Sequence, residues 1–517
     1  METVSESNDI NYVNQHTIVP SPEPALAEPL HWRHIAAPLL ALGLSILYWQ
    51  VFSIGNVSRG WGPGLGIPVF TAAFFAAVLL MTGRPRRTEG LYLMGAALAL
   101  SVSCALYAHP GFMVLNCFLI LLLSAASAFA LSGAARYGLG DLRSLPDTVR
   151  LSVLALFTRL DRPFRTLKAL LVRGVRFLGI GAVTLLILGV VLALLSSADM
   201  VFGSFFKSIG AWLSRQVPGI VLWRIFRALA LALLIASGLY FIQSPSDPVP
   251  EKARADRPVT AAPFLIPALA LDVVYIIFCV VQLRYLFGGA ETAAMAGGWA
   301  EYARTGFFQL SAVAAINLIL CLSGTSARRF SVRGGRLLRI ADGFLLLLTA
   351  LILVSAAYRM QLYILAFGLS VLRLMTLWAM LVILISLLAA GWKLFRPDFR
   401  FWPVCFAFAL GSWCLLCLSD PAGRIADYNV DAYLDGHLEQ VDVFYLEELS
   451  CDAAPALQRL AAGYDGRVDP DKYPWEMDDP REQAAYVLRD MASSVREGQA
   501  CWSTMKYTFR FLDAAKE

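Results

Sequence analysis

Charged residues are scarce in this chain, and their scarcity excludes most soluble folds. Only 16% of the 517 residues are Asp, Glu, Lys or Arg, while 58% are hydrophobic. Soluble globular domains average roughly 25% charged residues, so this much apolar surface needs lipid around it. The composition excludes a soluble multidomain protein and indicates a polytopic membrane protein.

Recognisable catalytic and metal-binding motifs are also lacking. The sequence contains no G-x-x-x-x-G-K phosphate loop, no H-E-x-x-H zinc motif, no G-x-S-x-G elbow and no kinase signature set. The 5 histidines are scattered along the chain, which argues against a histidine-rich metal centre. We therefore predict no catalytic residue, no metal and no cofactor, and the sequence favours a protein that is not an enzyme.

The cysteines suggest packing in the membrane and one disulfide outside it. Cys414 and Cys417 form a C-x-x-C pair, but they lie in an apolar run far from any strand–helix unit, so we interpret them as packing residues. Cys451 and Cys501 follow the last apolar run, and an oxidising compartment would permit a disulfide between them. Two unpaired thiols in the core of a small domain are the alternative.

Eleven apolar stretches are long enough to cross a membrane as helices. A crossing helix needs about 20 apolar residues, and the stretches lack the period-two alternation of membrane strands. We predict an all-α polytopic bundle of about eleven transmembrane helices with a small helical C-terminal tail. The stretches cover approximately residues 34–53, 64–82, 91–107, 112–131, 177–197, 220–241, 263–285, 306–323, 341–357, 371–391 and 401–418. The segment RMQLYILAFGLSVLRL (359–374) has a second interpretation, as an interfacial or re-entrant piece before the tenth crossing.

Lys and Arg are distributed unevenly between alternate loops. One set of loops, together with Arg33, holds 24 of them, and the other set holds 5. Positively charged loops remain in the cytoplasm. The N-terminus is therefore predicted to be cytoplasmic and, after an odd number of spans, the C-terminus is predicted to be extracytoplasmic.

Three regions follow from this organisation. Residues 1–33 are predicted to be a disordered cytoplasmic segment without a cleavable signal, and residues 34–418 form the transmembrane domain. Within that domain, 140–176 combines apolar residues at helical spacing with Lys and Arg, so we expect an amphipathic cytoplasmic segment attracted to anionic lipid. A solvated linker packing on the bundle is the alternative. Because membrane orientation already explains these basic stretches, no nucleic-acid partner is predicted.

The third region, 419–517, is acidic and helical in pattern. From Asp420 onwards it contains 20 acidic and 10 basic residues. Asp479, Pro480 and Glu482 supply a capping residue, a first-turn proline and a capping-box acid, which predict a helix beginning at Pro480. We expect three to five short helices here.

Charged residues inside or beside the predicted spans are the candidate site. Asp272 lies near the middle of its span, where an acid is expensive and by default faces the bundle interior. Under the proposed topology, five arginines lie on the outer side of the same bundle, and Asn317 could add a polar contact. We predict an outward-open pocket above Asp272 that binds an anionic group such as a lipid phosphate. The arginines are Arg224, Arg227, Arg284, Arg359 and Arg373. The alternative is that they extend separately to lipid headgroups or pair with nearby acids.

Four stretches resemble a bacterial integral membrane family. They are QLRYLFGG (282–289), EYARTGFFQLSAVAAINLIL (301–320), RMQLYILAFGLSVLRL (359–374) and ADYNVDAYL (426–434). The family is described as domain of unknown function 4173, with a close relative numbered 4153, and the similarity covers approximately residues 140–460. The resemblance implies a multi-pass protein of the bacterial inner membrane. It carries over no activity and no catalytic residue.

Two functions of different classes are compatible with these observations. The first is a binding, assembly or envelope-regulatory protein that sits in the lipid bilayer and presents a periplasmic helical tail to a protein partner. The second is a transporter, or a membrane protein acting on lipid-linked substrates, that uses the arginine-lined pocket above Asp272. Transport also predicts paired inverted repeats, and the sequence shows no clear repeat, so we favour the first function.

Overall fold

A computed structural model of the chain describes most of the membrane domain and of the C-terminal region. In the parts that it describes, helices account for all regular secondary structure. The described residues are 32–52, 64–83, 85–107, 109–138, 141, 143–172, 184, 187, 188, 190, 191, 219–243, 261–287, 307–324, 335–464 and 477–497. Only the backbone is described for residues 167–172, 219–220, 282–287, 307–311 and 494–497.

The helices follow one another with short connections wherever the connection is described. In chain order they are α1 (Trp32–Val51), α2 (Gly66–Thr82), α3 (Glu89–Leu106), α4 (Pro110–Ser132), α5 (Ser144–Phe157), α6 (Asp161–Val172), α7 (Gly219–Gln243), α8 (Ala262–Phe287), α9 (Phe307–Ser323), α10 (Gly335–Phe367), α11 (Val371–Phe395), α12 (Phe401–Leu418), α13 (Pro421–Leu434), α14 (Val443–Glu448), the 3₁₀ helix Ser450–Ala453, α15 (Ala454–Ala461) and α16 (Pro480–Glu497).

Ten of these helices coincide with ten of the predicted spans. Within the described residues, eight helices are long and apolar enough to cross a membrane, and the helices at 66–82 and 312–323 are shorter but equally apolar. Helices that are apolar all round need lipid or protein on every side, so the all-α membrane bundle is confirmed. The remaining predicted span, 177–197, lies outside the described residues apart from isolated positions, and the count of eleven stays a prediction.

Helix α10 is the longest element and resolves the two interpretations of residues 359–374. It contains 33 residues, which corresponds to about 50 Å and exceeds the roughly 30 Å of a hydrocarbon core. Gly368 ends the helix with φ +76°, and Ser370 caps the next one. The segment is therefore the end of α10, a tight turn and the start of α11, rather than a separate re-entrant piece.

Small residues bring the membrane helices close together. Helix α1 packs against α2 and α7, α3 packs against α4 and α12, and α10 packs against α8, α9 and α11. Ala37 and Ala41 on α1 and Ala97 on α3 are completely buried. Close backbone approach of this kind is how helices associate without a hydrophobic driving force in lipid.

The predicted amphipathic segment forms two helices, α5 and α6, that pack on the end of the bundle. Leu151 and Ala155 belong to the buried cluster formed with α1, α2, α4 and α7, and the Ser237 hydroxyl donates to the Ala155 carbonyl at 2.7 Å. On its other face α5 exposes Val149 and Val153. The packing agrees with the linker alternative, while the exposed apolar face leaves attraction to lipid as a prediction.

The C-terminal helices form a small core of their own. Helix α13 is amphipathic and α16 begins at Pro480, as the capping residues predicted. Ile425, Leu446, Leu457 and Leu460 are fully buried in this cluster. Residues of the α10–α11 connection pack against the same cluster, which places the C-terminal region against one end of the bundle.

Candidate functional site: the junction of the bundle and the C-terminal region

The turn between α10 and α11 is closed by its own side chains. The Ser370 hydroxyl accepts a hydrogen bond from the Arg373 backbone N–H at 3.3 Å. The Arg373 guanidinium donates to the Phe367 carbonyl at 2.8 Å and also to the Gly368 carbonyl. It lies 4.2 Å from the ring centroid of Tyr363. Arg373 thus satisfies the last carbonyls of α10 and offsets the negative end of its dipole.

Two side chains of the C-terminal region hold this turn by its backbone. The Oδ1 atom of Asn429 accepts from the Leu369 N–H at 2.6 Å, and its Nδ2 donates to the Leu369 carbonyl at 2.8 Å. The Tyr445 hydroxyl accepts from the Val371 N–H at 2.7 Å. Burial raises the pKa of Tyr445, so the phenol stays neutral while it makes this contact.

A second docking contact comes from the turn between α3 and α4. The His109 backbone N–H donates to Oδ2 of the buried Asp452 at 3.0 Å. The Nδ1 atom of His109 accepts from the Phe112 N–H at 3.3 Å and so caps α4. Burial lowers the pKa of His109, which favours the neutral imidazole that an acceptor role requires.

A cleft of about 500 Å³ lies between these two contacts. It has an apolar wall from α11 and a few polar groups, an arrangement that suits a ligand with an apolar body and a polar head. The cleft is lined by His109, Ser370, Val371, Leu372, Met375, Tyr445, Glu448 and Leu449. The side chains of its histidine, serine and tyrosine each accept a hydrogen bond from a backbone N–H.

A smaller cavity of about 10 Å³ lies beside the cleft and is organised by Asn116. The Asn116 Nδ2 donates to the Ser103 hydroxyl at 3.1 Å, and its Oδ1 accepts from the Trp413 indole N–H at 3.0 Å. A space of this size holds about one water molecule. This buried polar group fixes α12 against α3 and α4.

The cysteines agree with a packing role as far as the structure describes them. The thiols of Cys414 and Cys417 are buried, at 3.8 Å from a backbone carbonyl of α3 and 3.5 Å from the Asn116 side-chain oxygen. Cys451 is half-buried beside the C-terminal core. Cys501 lies outside the described residues, so the disulfide between them stays a prediction.

Asp272 on α8 and Asn317 on α9 are both buried in the membrane domain. Asp272 is 5% exposed, and Asn317 is completely buried. The Tyr275 hydroxyl donates to Asn317 Oδ1 at 3.1 Å, and Asn317 Nδ2 donates to the Thr349 hydroxyl at 2.8 Å. Asp342 on α10 is likewise buried, with 1% of it exposed.

The predicted arginines have separate surroundings. Arg227 on α7 lies 4.4 Å from the Trp49 ring centroid and 5.9 Å from that of Trp223, whereas Arg373 contacts α10. Arg224 is exposed, Arg359 is half-buried and only the helical backbone is described for Arg284. Because Arg227 and Arg373 contact different helices, nothing here supports a single arginine-lined pocket, which stays a prediction.

Sequence reasoning missed three residues of these sites, namely His109, Asp342 and Asn429. His109 was one of several scattered histidines, and Asp342 stands at the edge of an apolar run beside arginines. Asn429 had an indirect signal, since it lies within ADYNVDAYL (426–434) and its partner Leu369 lies within RMQLYILAFGLSVLRL (359–374). Two of the stretches that carry the family resemblance therefore meet at the junction.

Comparison with known proteins gives one match. Residues 94–460 match the family described as "Domain of unknown function (DUF4153)". No curated protein and no solved structure matches. The sequence resemblance indicated family 4173, with family 4153 as a close relative. The family model that matches is the one for family 4153. Because the match spans more than half of its length, the chain belongs to the DUF4153 family.

Proposed function

We propose that this multi-pass membrane protein is a binding or assembly protein of the bacterial inner membrane that presents its C-terminal helical region to an extracytoplasmic protein partner. The observation that carries the proposal is the docked C-terminal core. That core is fixed to the α10–α11 turn through Asn429 and Tyr445 and to the α3–α4 turn through Asp452. A rigidly held surface loses little conformational entropy when a partner binds it.

The surface of this region indicates the chemistry of its partner. Among its described exposed charged side chains, nine are acidic and four are Arg. Phe444 and Leu434 are exposed by 40% and 45% on the same surface. Acidic rims with apolar anchors complement a basic surface that offers apolar pockets. We therefore expect a partner with a basic face. The excess of Lys and Arg in the opposite loops supports the extracytoplasmic placement.

Site-specific photocrosslinking in living cells tests this proposal. A photoreactive amino acid at Phe444 should give a discrete protein adduct after irradiation. Phe406 on α12 is the matched control, because its ring is also 40% exposed but faces the membrane domain surface. The same probe there should give no protein adduct.

Charge variants separate a specific partner from chance collisions. Asp435→Lys combined with Glu439→Lys reverses two exposed charges of the region and should lower the adduct yield several-fold. Asp435→Glu with Glu439→Asp keeps both charges and should keep the yield. Absence of any protein adduct at Phe444 in cells that express the protein normally would contradict the proposal.

The alternative, a transporter or a protein acting on lipid-linked substrates, is favoured by one observation. Asp272 and Asp342 are both buried in the membrane domain, and buried ionisable residues of this kind mark ion pathways and proton relays in membrane proteins. The contacts of Arg227 and Arg373 add no support to it.

A further inference from the structure

The cleft at the junction lies where several membrane helices end. It is lined by His109, which caps α4, and by the first turn of α11. Helix α12 ends at the same level, since the Tyr107 hydroxyl donates to the Leu418 carbonyl at 2.8 Å. The ends of crossing helices lie at the boundary between hydrocarbon and headgroups, so the cleft lies at the level of the lipid headgroups.

Three side chains of the cleft each keep one hydrogen-bond donor that no described residue uses. The hydroxyls of Ser370 and Tyr445 accept hydrogen bonds from backbone N–H groups of α11, and within the described residues they donate none. The His109 ring accepts at Nδ1, so the neutral imidazole carries its proton on Nε2. Two O–H groups and one N–H around a single space suit the oxygen atoms of a phosphate group.

One carboxylate in the cleft supplies the opposite kind of group. Glu448 lines the cleft with an exposed side chain, and in the described part of the chain it forms no ion pair. Burial is the main cause that raises the pKa of Tyr445; among charged groups, Arg373 lowers it, whereas Glu448 and Asp442 raise it.

The balance of charge around the cleft favours a ligand with a positive group. Arg373 already donates to the Phe367 and Gly368 carbonyls at the end of α10. Glu448 and Asp442 therefore outweigh the one arginine that acts on the same tyrosine. A ligand that carries an ammonium group beside its phosphate complements this arrangement, whereas a simple anion does not.

The apolar wall of the cleft suits a hydrocarbon chain. Leu372 is 69% exposed, and Met375 lies about one turn further along the same face of α11. Val371 and Leu449 complete the wall. The volume of about 500 Å³ lies within the roughly 300–1,000 Å³ of small-ligand sites, so the cleft has room for a headgroup and the first part of a chain.

We propose that this cleft binds phosphatidylethanolamine from the surrounding bilayer, with the phosphate at His109, Ser370 and Tyr445 and the ammonium at Glu448. An N–H of the ammonium donates to the carboxylate, a charge-assisted hydrogen bond. Phosphatidylcholine carries no N–H on its headgroup, and phosphatidylglycerol brings a negative charge without a positive one. The lipid contacts α11 and α14 together, and so it joins the membrane bundle to the C-terminal region.

Native mass spectrometry of the full-length protein tests the choice of lipid. With equal amounts of lipids that have identical chains, the wild type should retain phosphatidylethanolamine several-fold more than phosphatidylglycerol or phosphatidylcholine. Glu448→Gln should remove most of this preference. Glu447→Gln is the matched control, since this neighbouring acid is exposed but does not line the cleft, and it should keep the preference. Equal retention of the three lipids, or equal behaviour of the two variants, overturns the proposal.

Photolabelling of the wild-type protein locates the lipid without any substitution. In vesicles made mainly of phosphatidylcholine, a phosphatidylethanolamine with a photoreactive group high on one chain should label the α11 peptide that contains Leu372 and Met375. Unlabelled phosphatidylethanolamine should compete, whereas glycerophosphoethanolamine, which has no chains, should not. Absence of label from that peptide, as expected if a protein segment fills the cleft, overturns the proposal. Equal competition by glycerophosphoethanolamine would indicate a soluble ligand and overturns it too.

Discussion

Asn429 binds the backbone of Leu369 on both sides, accepting from its N–H at 2.6 Å and donating to its carbonyl at 2.8 Å. The two residues are 60 positions apart in the chain. One amide side chain therefore satisfies both polar groups of a residue in the α10–α11 turn, and it is itself buried. This relationship makes the docking of the C-terminal region sensitive to single substitutions.

Asn429→Ala should loosen the C-terminal region. Removal of the amide leaves the N–H and carbonyl of the half-buried Leu369 without these partners, and we expect the free energy of unfolding to fall by about 1 to 3 kcal/mol. The melting temperature in detergent and the rate of protease cleavage before α13 both measure this loosening. Gln440→Ala, at an exposed position of the same region, should change neither, and equal behaviour of the two variants would contradict the assigned contact.

Gly368→Ala should destabilise the protein by more than Gly436→Ala. Both glycines have positive φ, +76° and +74°, so an added Cβ strains each by roughly 1 to 2 kcal/mol. At Gly368 the Cβ would also lie 2.6 Å from Asn429 Oδ1, whereas nothing lies within 4 Å at Gly436. The difference between the melting temperatures of the two variants measures the effect of this extra contact.

A double substitution checks the cause of that difference. Gly368→Ala combined with Asn429→Ala should destabilise by less than the two separate effects together, because both act on the same contact. Strict additivity would show that the glycine acts through strain alone.

The junction should weaken in acid through His109. Burial lowers its pKa below the ordinary value of 6.5, so below about pH 6.5 the unfolded chain binds a proton that the folded protein does not. Stability is therefore fully present above that pH and declines as the pH falls towards the folded-state pKa, by at most about 1.4 kcal/mol per pH unit. Melting temperatures between pH 5 and 8 measure the effect.

Two asparagine variants control the pH experiment. His109→Asn keeps a capping side chain on α4 and should flatten this part of the pH dependence. His437→Asn changes an exposed histidine of the C-terminal region and should leave it intact. An unchanged slope in His109→Asn would exclude the histidine as the cause.

Reporter fusions test the orientation. A phosphatase that is active only outside the cytoplasm should be active when fused after Lys516 and inactive when fused after Arg400, in the basic connection between α11 and α12. The excess of Lys and Arg on one side is the physical reason. Activity of the Arg400 fusion with silence of the Lys516 fusion would mean that the chain has the opposite topology.

Non-reducing mass spectrometry tests the disulfide between Cys451 and Cys501. A bridge closing that loop would add about 4 kcal/mol in the chain-entropy model, so reduction should lower the melting temperature of the wild type. Cys451→Ser should remove this sensitivity, while Cys117→Ser, in the membrane bundle, should not. Both thiols free in protein isolated from intact cells would reject the bridge.

The spans and the start of α16 could be predicted because their causes are local. Apolar run length decides a crossing helix, and Asp479 with Pro480 decides where a helix begins. The contacts of Asn429 and Asp342 could not be predicted, since each depends on which helices become neighbours. Asp342 has the sequence context of a residue near a helix end, and yet the packing of α10 among its neighbours buries it almost completely.

The length of α10 determines how far a small tilt of this helix would move its end. Asp342 and Phe367 lie on one uninterrupted helix, separated by about 37 Å at 1.5 Å per residue. A tilt of the whole helix by about 5° would displace one end relative to the other by roughly 3 Å over this distance. Next to that end, the backbone of Leu369 is hydrogen-bonded to Asn429 of the C-terminal region. Any tilt of α10 would therefore move the docked C-terminal region with it.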